Sequence, residues 1–410
     1  MLAGGASGET VGALRKLRAL MAALRMITAG ESHGPGLTCI LEGLPAGLEL
    51  DREAINRDMA RRQLGYGRGG RMKIESDAAQ PTGGVRHGRT LGGPIALSIA
   101  NRDYANWEER MNPWPVETPL EEVHLPRPGH ADLAGVQKYG FSDVRDVLER
   151  ASARETAARV AGGALCKEFL RALGVAVVSR VLAIGTVVAP VVEEPLTLAH
   201  FAAVDDSPVR CLDDEASRAM VEHINLQRKA NESLGGVFEV RAFGLVPGLG
   251  SHVSWEERLD GRLASAICSI QAIKGFGLGE GFALAAKAGS LAHDEIFHSP
   301  QRGFYRETNR AGGVEGGMTN GEPLIVSGAM KPLPTLTKPL RSVNIETLEA
   351  GGALRERTDS CTVPAAAVVG EAMVAYVLAD AYRQKFGGDH IDDARAALRA
   401  YRERIGWQAS

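Results

Sequence analysis

The stretch ERASARETAARVAGGALCKEFLRAL, residues 149–173, decides the fold class. Ser152 followed by Glu155 has the spacing of a capping box, which predicts a helix that begins at Ser152 and ends at Gly174. A strand-like run, VAVVSRVLAIGTVVAPVV (175–192), follows directly. Helices and β segments that mix in this way, without the regular rhythm of βαβ units, favour an α+β fold over a doubly wound parallel sheet.

Two further helices are marked by residues at their ends. Asp51 is placed to cap the segment DREAINRDMARRQL, which ends at Gly65. Pro364 is typical of a first helical turn, and Gly387 of the position just after a helix. The sequence therefore predicts helices over about 52–64 and 364–386.

Residues 254–275 are predicted to form another helix. Ser254 and Glu257 repeat the capping-box spacing before WEERLDGRLASAICSIQAIK, and Gly275 follows as the stop. The runs 235–245 and 322–330 are rich in apolar and β-branched residues, which predicts strands there.

Length and composition describe a globular protein with a large core. The chain has 410 residues, of which 44% are hydrophobic and 24% charged. Its longest apolar stretch, Val363 to Ala381, contains Glu371 and is predicted to be a buried helix. No Pro- or Ser-rich linker divides the chain, so we expect one large domain over residues 26–410. Residues 1–25 are predicted to be a disordered N-terminal extension.

Charge and cysteine usage exclude several classes. The net charge of −3 points to neither nucleic acid nor a membrane as partner. Of 47 basic residues only 10 are Lys, so 37 are Arg. This excess fits either codon bias or the recognition of phosphate and carboxylate groups by guanidinium forks. The five cysteines are odd in number and form no CxxC pair, which favours a reducing, cytoplasmic compartment.

Two glycine-rich loops carry residues suited to chemistry. In AGESHGPGL (29–37), glycines surround His33, which can exchange a proton near neutral pH. In RRQLGYGRGGRMK (61–73), four arginines lie over a glycine-rich loop, which favours a fixed anion site. An RNA-binding tract is the alternative, but repeats and aromatic platforms are missing from it.

Two further segments are predicted to hold charged side chains in fixed positions. In HLPRPGHADL (124–133), prolines stiffen the backbone around Arg127 and His130. The histidine spacing fits no standard zinc pattern and HExxH is absent, so no metal site is expected. At the start of the helix described first, Arg150 and Arg154 flank backbone N–H groups that can bind an anion. The run GFGLGEG (275–281) fails GxGxxG and no GxxxxGK[ST] occurs, which disfavours a Rossmann cofactor site there and a P-loop kinase.

Taken together, these segments resemble the chorismate synthase family. The match rests on motifs that keep the family's order and spacing from about residue 26 to 385: AGESHGPGL, RRQLGYGRGGRMKIESD, RPGHADL, ERASARETAARVAGGAL, GGMTNGEP, MKPLPTL and RTDSCTVPAA. The resemblance implies a trans-1,4 elimination of phosphate from 5-enolpyruvylshikimate 3-phosphate, giving chorismate, with reduced FMN required. It also implies helices sandwiched between antiparallel sheets, and a homotetramer.

The resemblance also implies roles for individual residues. His33 corresponds to the histidine that protonates the reduced flavin, His130 to the one that assists the departing phosphate, and Asp359 to the aspartate that helps remove the C6 proton. The residues implied to bind substrate are Ser32, Arg62, Arg68, Arg127 and Arg154, with Ser152 as a further hydroxyl donor. The residues implied to bind FMN are Arg150, Ala151, Ser152, Gln271, Ala272, Gly316, Lys331, Pro332, Leu333, Pro334, Thr335 and Arg357.

Some positions depart from the family pattern. Gln271 stands where the family commonly has Asn, and Ala151 where it has Ser. The family's Arg-Ser-Asp-Pro is Arg-Thr-Asp-Ser over residues 357–360. A longer amide at position 271 is expected to shift its hydrogen bond to the flavin.

Two questions stay open at this point. The family includes members that reduce their own flavin with NADPH and members that depend on another reductase. Since the sequence shows no appended reductase domain, we expect external supply, with NADPH as an indirect reductant. Arg62 and Arg68 have also been interpreted as nicotinamide-nucleotide contacts. The rival functions are a flavin- or nucleotide-binding oxidoreductase and a noncatalytic RNA-binding protein.

Overall fold

The structure is a computed structural model that describes residues 24–69, 76–192, 195–354 and 359–408. Its helices are α1 (Arg52–Gln63), α2 (Asp132–Tyr139), α3 (Arg145–Ala151), α4 (Thr156–Ala172), α5 (Asp214–Lys229), α6 (Leu259–Cys268), α7 (Gly289–Ala292), α8 (Val363–Phe386) and α9 (Ile391–Ile405). Its strands are β1 (Arg25–Ala29), β2 (Gly36–Glu42), β3 (Gln80–Gly83), β4 (Val85–Arg86), β5 (Arg89–Thr90), β6 (Ile95–Ala100), β7 (Ala176–Ile184), β8 (Val187–Val188), β9 (Gly236–Phe243), β10 (Ile273–Leu278), β11 (Ile296–Ser299), β12 (Gly303–Arg306), β13 (Val314–Glu315), β14 (Met318–Thr319), β15 (Leu324–Met330), β16 (Arg341–Val343) and β17 (Ala350–Gly352).

Two antiparallel sheets form the framework. The first has the order β1-β2-β6-β3, and the second the order β10-β15-β9-β7-β8. In the first sheet Thr28 pairs with Cys39, and Thr38 pairs with Ser98. The remaining strands form two-stranded hairpins. The strands predicted over 175–192, 235–245 and 322–330 are confirmed as β7 with β8, β9 and β15.

Helices α4 and α8 pack against each other and against the sheets. Helix α4 contacts β1, β2 and β6, whereas α8 contacts β7, β9 and β15. The two helices approach closely at Gly163, where an added Cβ would lie 2.5 Å from Cα of Ala372. Glycine at this position therefore allows the contact. The mixture of helices with antiparallel sheets confirms the α+β class.

Helix α8 is the helix of the described residues that is long and apolar enough to cross a membrane, and 94% of its most apolar window is buried inside the protein. It begins with Pro364 in its first turn and ends before Gly387, as predicted. Its sequence was predicted to form a buried helix, and that prediction is confirmed.

Local capping signals had mixed outcomes. The Asp51 carboxylate accepts hydrogen bonds from the N–H groups of Glu53 and Ala54, so the predicted cap of α1 is confirmed. The predicted helix over 254–275 is wrong at both ends. Within the part of the chain that the structure describes, the Ser254 side chain makes no capping hydrogen bond, and a short 3-10 turn, Trp255–Glu257, precedes α6, which begins at Leu259. Helix α6 ends at Cys268, and strand β10 begins at Ile273 because β15 pairs with it.

The predicted helix start at Ser152 is also different in the structure. The Ser152 hydroxyl accepts a hydrogen bond from the N–H of Arg154, but it caps a short 3-10 turn, Ala153–Glu155, that separates α3 from α4. Glu155 does not complete a capping box; its carboxylate accepts from Thr28 Oγ1 at 2.6 Å. Residues 1–23 of the predicted extension lie outside the described part of the chain. Leu24 is buried, and Arg25 begins β1.

Candidate active site

His33 lies in the loop between β1 and β2 and is held by a carboxylate. Its Nδ1 lies 2.9 Å from Oε1 of Glu149, and its backbone N–H donates to Oε2 at 2.8 Å. Its ring stacks on Trp107 with centroids 4.0 Å apart. Burial raises the pKa of Glu149, but hydrogen bonds from His33 and the charge of Arg145 outweigh burial and lower it. Glu149 is therefore an anion at neutral pH.

The two predicted hydroxyl donors meet beside this histidine. The Ser152 hydroxyl lies 3.2 Å from that of Ser32. The side-chain amide of Asn101 donates to the carbonyls of Glu31 and Gly34, at 3.1 and 2.7 Å. These hydrogen bonds fix the path of the loop that carries Ser32.

Two predicted substrate arginines share one buried aspartate. Arg154 Nη1 lies 2.7 Å from each oxygen of Asp77, and Arg62 Nη1 lies 3.3 Å from Oδ2. Arg62 also donates to Thr156 Oγ1 at 2.9 Å. Burial, with the neighbouring charge of Arg154 and against the opposing effect of Asp77, lowers the pKa of Arg62 to about 9. The guanidinium thus stays charged at neutral pH.

Arg68 and Asp359 form a second pair near Arg62. Arg68 Nε lies 3.2 Å from Oδ2 of Asp359, and the N–H of Gly69 donates to Oδ1 at 2.5 Å. The electrostatic influence of both side chains on Arg62 places them in its neighbourhood. Arg357 and Arg71 lie outside the described residues.

Arg127, His130 and Asp132 form a compact group. Arg127 Nε donates to Asp132 Oδ2 at 2.8 Å, and His130 Nδ1 lies within hydrogen-bonding distance of Oδ1. Burial raises the pKa of Asp132, but hydrogen bonds from His130 and Arg127 lower it well below its usual range. Since an ionised carboxylate can only accept, His130 Nδ1 carries the proton that Asp132 binds. Arg127 Nη1 also donates to Thr335 Oγ1 at 3.2 Å, which joins this group to a predicted cofactor residue.

The predicted cofactor segments are linked in series. The Gln271 amide donates to Glu155 Oε2 at 3.0 Å, and the Ala272 carbonyl accepts from the N–H of Lys331 at 3.0 Å. The Lys331 ammonium in turn donates to the carbonyl of Gly129, beside His130. Pro332, Leu333 and Pro334 follow Lys331 in its segment, whereas Ala151 is the last residue of α3. The loop of Lys331 to Thr335 therefore connects Gln271 with His130.

A cavity of about 410 Å³ opens beside the first of these segments. Its lining includes Thr28, Arg150, Arg159 and Gln271. Arg150 donates to the carbonyls of Thr28 and Gly30, at 2.8 and 3.2 Å. Among the described residues, Oε1 of Gln271 is buried and has no hydrogen-bond partner. Gln271 thus holds a buried acceptor without a described partner next to a cavity that Arg150, Arg159 and Glu155 also line.

Gly316 lies apart from these groups. It stands at the turn of the β13–β14 hairpin with φ 58°, where the carbonyl of Gly317 accepts from the N–H of Leu259. Within the described ranges, no hydrogen bond connects Gly316 with the other predicted cofactor residues. As for metals, the described residues contain no group of three or more His, Cys, Asp or Glu able to hold an ion. All five cysteines are free thiols.

Comparison with known proteins identifies the family. The family model described as chorismate synthase matches residues 24–382. A chorismate synthase of Rubrobacter xylanophilus is 56% identical over 93% of this chain and 97% of the relative, and one of Desulforudis audaxviator is 55% identical over 93% and 98%. The chain belongs to the chorismate synthase family. Its function is the formation of chorismate, a lyase reaction of the shikimate pathway.

A crystal structure of a chorismate synthase shares the fold. It superposes with a TM-score of 0.74 at 42% identity and covers 93% of this chain and 98% of the other. Membership of the chorismate synthase family thus rests on sequence and on structure.

The chorismate synthase motifs pointed to the histidines and arginines but not to the groups that hold them. Glu149, Asp77 and Asp132 lie inside the quoted motifs, where none of them was assigned a role. Asn101 and Trp107 lie outside every motif. One signal in the sequence could have found these three carboxylates. They lie in segments rich in arginine, and buried guanidinium groups require carboxylate partners.

Proposed function

We propose that the chain eliminates phosphate from 5-enolpyruvylshikimate 3-phosphate in the presence of reduced FMN. The C–O bond to phosphate breaks, a proton leaves C6, and the new double bond gives chorismate and inorganic phosphate. The observation that carries this proposal is the group around Arg127. Its guanidinium donates to Asp132, the carboxylate that holds His130, and to Thr335, a residue assigned to the cofactor; His130 is assigned to phosphate departure.

The charge of the site suits a phosphorylated dicarboxylate. Arg62, Arg68, Arg127 and Arg154 come from three different segments, and all four side chains are nearly or fully buried. Guanidinium forks bind phosphate and carboxylate with charge-assisted, directional hydrogen bonds. Ser32 and Ser152 add neutral donors beside them. We assign these six residues to the substrate.

Two histidines and one aspartate are assigned to proton handling. Since His130 Nδ1 donates to Asp132, Nε2 is the nitrogen that carries a proton to the leaving phosphate. His33 is assigned to the proton balance on the cofactor side. Asp359, held by Arg68 and the N–H of Gly69, is assigned to assist removal of the C6 proton.

The residues present fit a flavin nucleotide. A cavity of about 410 Å³ is within the range of small-molecule sites. The buried Oε1 of Gln271 suits a ring N–H donor, and Arg150 and Lys331 suit a phosphate. Reduced FMN, when bound, supplies an electron-rich ring that favours departure of the leaving group.

The residues that we assign to FMN are the predicted set: Arg150, Ala151, Ser152, Gln271, Ala272, Gly316, Lys331, Pro332, Leu333, Pro334, Thr335 and Arg357. Gly316 lies in the separate β13–β14 hairpin, and Arg357 lies outside the described residues. We further propose a cytoplasmic homotetramer, one catalytic domain over residues 26–410, a layered sandwich of helices between the two sheets, and reduced flavin supplied by a separate, NADPH-linked reductase.

The test is anaerobic turnover of 5-enolpyruvylshikimate 3-phosphate with photoreduced FMN, followed by chorismate absorbance and phosphate release. The proposal expects both products in equal amounts and no net consumption of reductant. His130→Ala should lose most of the rate, and Asp359→Asn should slow the C6 proton step while FMN binding stays largely intact. Full activity of His130→Ala would contradict its role. Turnover with oxidised FMN and NADPH alone would contradict external supply.

A further inference from the structure

We propose that Glu149 is a positioning residue that fixes the tautomer and the orientation of the His33 imidazole. In this arrangement Nδ1 carries a fixed hydrogen, and Nε2 is the nitrogen that gains and loses the exchangeable proton. The catalytic consequence rests on the proposed function of His33, whereas the tautomer itself does not.

The contacts of Glu149 determine which ring nitrogen carries hydrogen. His33 Nδ1 lies 2.9 and 3.0 Å from the two carboxylate oxygens, and the backbone N–H of His33 donates to the same group. The Glu149 side chain is only 3% exposed and also accepts from Arg145 Nη1 at 2.8 Å. Paired with this guanidinium, the carboxylate is ionised and can only accept. Nδ1 must therefore be the donor.

Trp107 and Arg145 complete a closed ring of four side chains. The Trp107 ring covers one face of His33 at 4.0 Å with an angle of 26° between the planes. The Arg145 guanidinium lies 5.1 Å from the centroid of the same indole ring while it binds Glu149. The stack opposes tilting of the imidazole, and the carboxylate opposes its rotation about χ2. Both degrees of freedom that would misdirect Nε2 are thereby restricted.

The position of Glu149 explains how a short helix achieves this. Helix α3 carries Arg145 and Glu149 four residues apart, so both side chains lie on one face. The backbone carbonyl of Glu149 also accepts from the N–H of Ser32 at 3.0 Å. Main chain and side chain of one residue therefore hold two successive residues of the loop.

The test is nitrogen NMR of protein labelled with 15N-histidine, at a pH where His33 is neutral. The His33 signals are identified by their loss in His33→Gln. We expect Nδ1 of the wild type to have the shift of a protonated ring nitrogen and Nε2 that of an unprotonated one. In Glu149→Gln, the two shifts should move toward each other as the tautomers mix. Glu168→Gln removes a buried glutamate that binds Arg171 and the N–H of Asp51, and it should leave the His33 shifts unchanged.

Kinetics supply the second measurement. Glu149→Gln should lower kcat by about 100-fold, the lower end of what positioned acid–base groups contribute, and change KM by less than about twofold. A wild-type His33 protonated at Nε2, or shifts that Glu149→Gln leaves unchanged, would overturn the inference. If the tautomer is as stated but kcat of Glu149→Gln is normal, the tautomer assignment stands and the proposed role of His33 fails instead.

Discussion

Arg154 and Asp77 form a two-point ion pair in which Nη1 of the arginine lies 2.7 Å from each carboxylate oxygen. Arg62 approaches the same carboxylate at 3.3 Å. One anion thus lies between two cations that we assign to the substrate. Without substrate, it compensates part of their charge; with substrate, it fixes their relative positions.

Replacing Asp77 by Asn should destabilise the fold. The change leaves two buried guanidinium groups with weaker compensation, so the free energy of unfolding should fall by about 3 kcal/mol in urea titrations. Glu49→Gln is the control, because its ion pair with Arg89 is exposed, with side chains 75% and 60% accessible. That variant should lose less than about 1 kcal/mol. Equal losses in both variants would contradict the importance of burial at Asp77.

Replacing Arg62 by Lys should weaken substrate binding. Lysine keeps the charge but loses the fork that donates to several acceptors, and charge-assisted hydrogen bonds are worth about 1.5–3 kcal/mol each. KM for 5-enolpyruvylshikimate 3-phosphate should therefore rise by roughly 10- to 100-fold in assays with reduced FMN. Arg57→Lys changes an exposed arginine of the same helix and should leave KM unaltered. An unchanged KM in Arg62→Lys would remove this residue from the substrate set.

The Asp132 carboxylate should make stability depend on pH. Its pKa is lowered in the folded protein, so its ionised form stabilises the fold above the ordinary aspartate value of about 3.9, and this contribution is lost as the pH falls below that value. Wild type should exceed Asp132→Asn by roughly 2 kcal/mol near neutral pH, and the difference should shrink in acid. Asp392→Asn, at an exposed site, should show no such trend. Denaturant unfolding from pH 3 to about 7 measures the difference in the free energy of unfolding between wild type and each variant.

Replacing Gln271 by Met should weaken FMN binding. Methionine has a similar shape but removes the buried acceptor Oε1, and one hydrogen bond contributes about 1 kcal/mol. The Kd for FMN, measured by fluorescence quenching, should rise by about 5- to 10-fold. Gln384→Met alters an amide that donates to Asp380 near the C-terminal end of α8, and this control variant should bind FMN normally. Normal affinity in Gln271→Met would mean that the flavin does not use this amide.

Replacing Gly163 by Ala should destabilise the protein even though alanine is the better helix former. The added Cβ would lie 2.5 Å from Cα and 2.8 Å from the carbonyl oxygen of Ala372. Overpacking of this kind costs about 1–3 kcal/mol, which exceeds the gain in helix propensity of up to about 1 kcal/mol. Gly289→Ala, whose Cβ would meet no described atom within 4 Å, should be neutral or stabilising. Urea unfolding of both variants shows whether each substitution lowers or raises the free energy of unfolding.

The parts of the structure that sequence could predict are those fixed by local chemistry. Asp51 and Pro364 act on backbone groups of their own helix turn, so both helix starts were predictable. Residues 273–275 were mispredicted as helix because they pair with β15, a strand more than 50 positions further along the chain. Local pattern carries no information about such a partner.

The same limit applies to the candidate site. Glycine and proline around His33 and Arg127 predicted the loops, and clustered arginines predicted the anion sites. The partners could not be read in this way, since Glu149 is separated from His33 by 116 positions and Asp77 from Arg154 by 77. Only the folded chain shows which carboxylate belongs to which cation.

Helix α8 has a consequence for how the chain is made. It lies near the end of the sequence, yet it covers β7, β9 and β15 and is the packing partner of α4. During synthesis those apolar surfaces leave the ribosome well before the helix that covers them. The core therefore closes only after translation has passed Phe386, and until then the nascent chain presents aggregation-prone surfaces of the kind that chaperones bind.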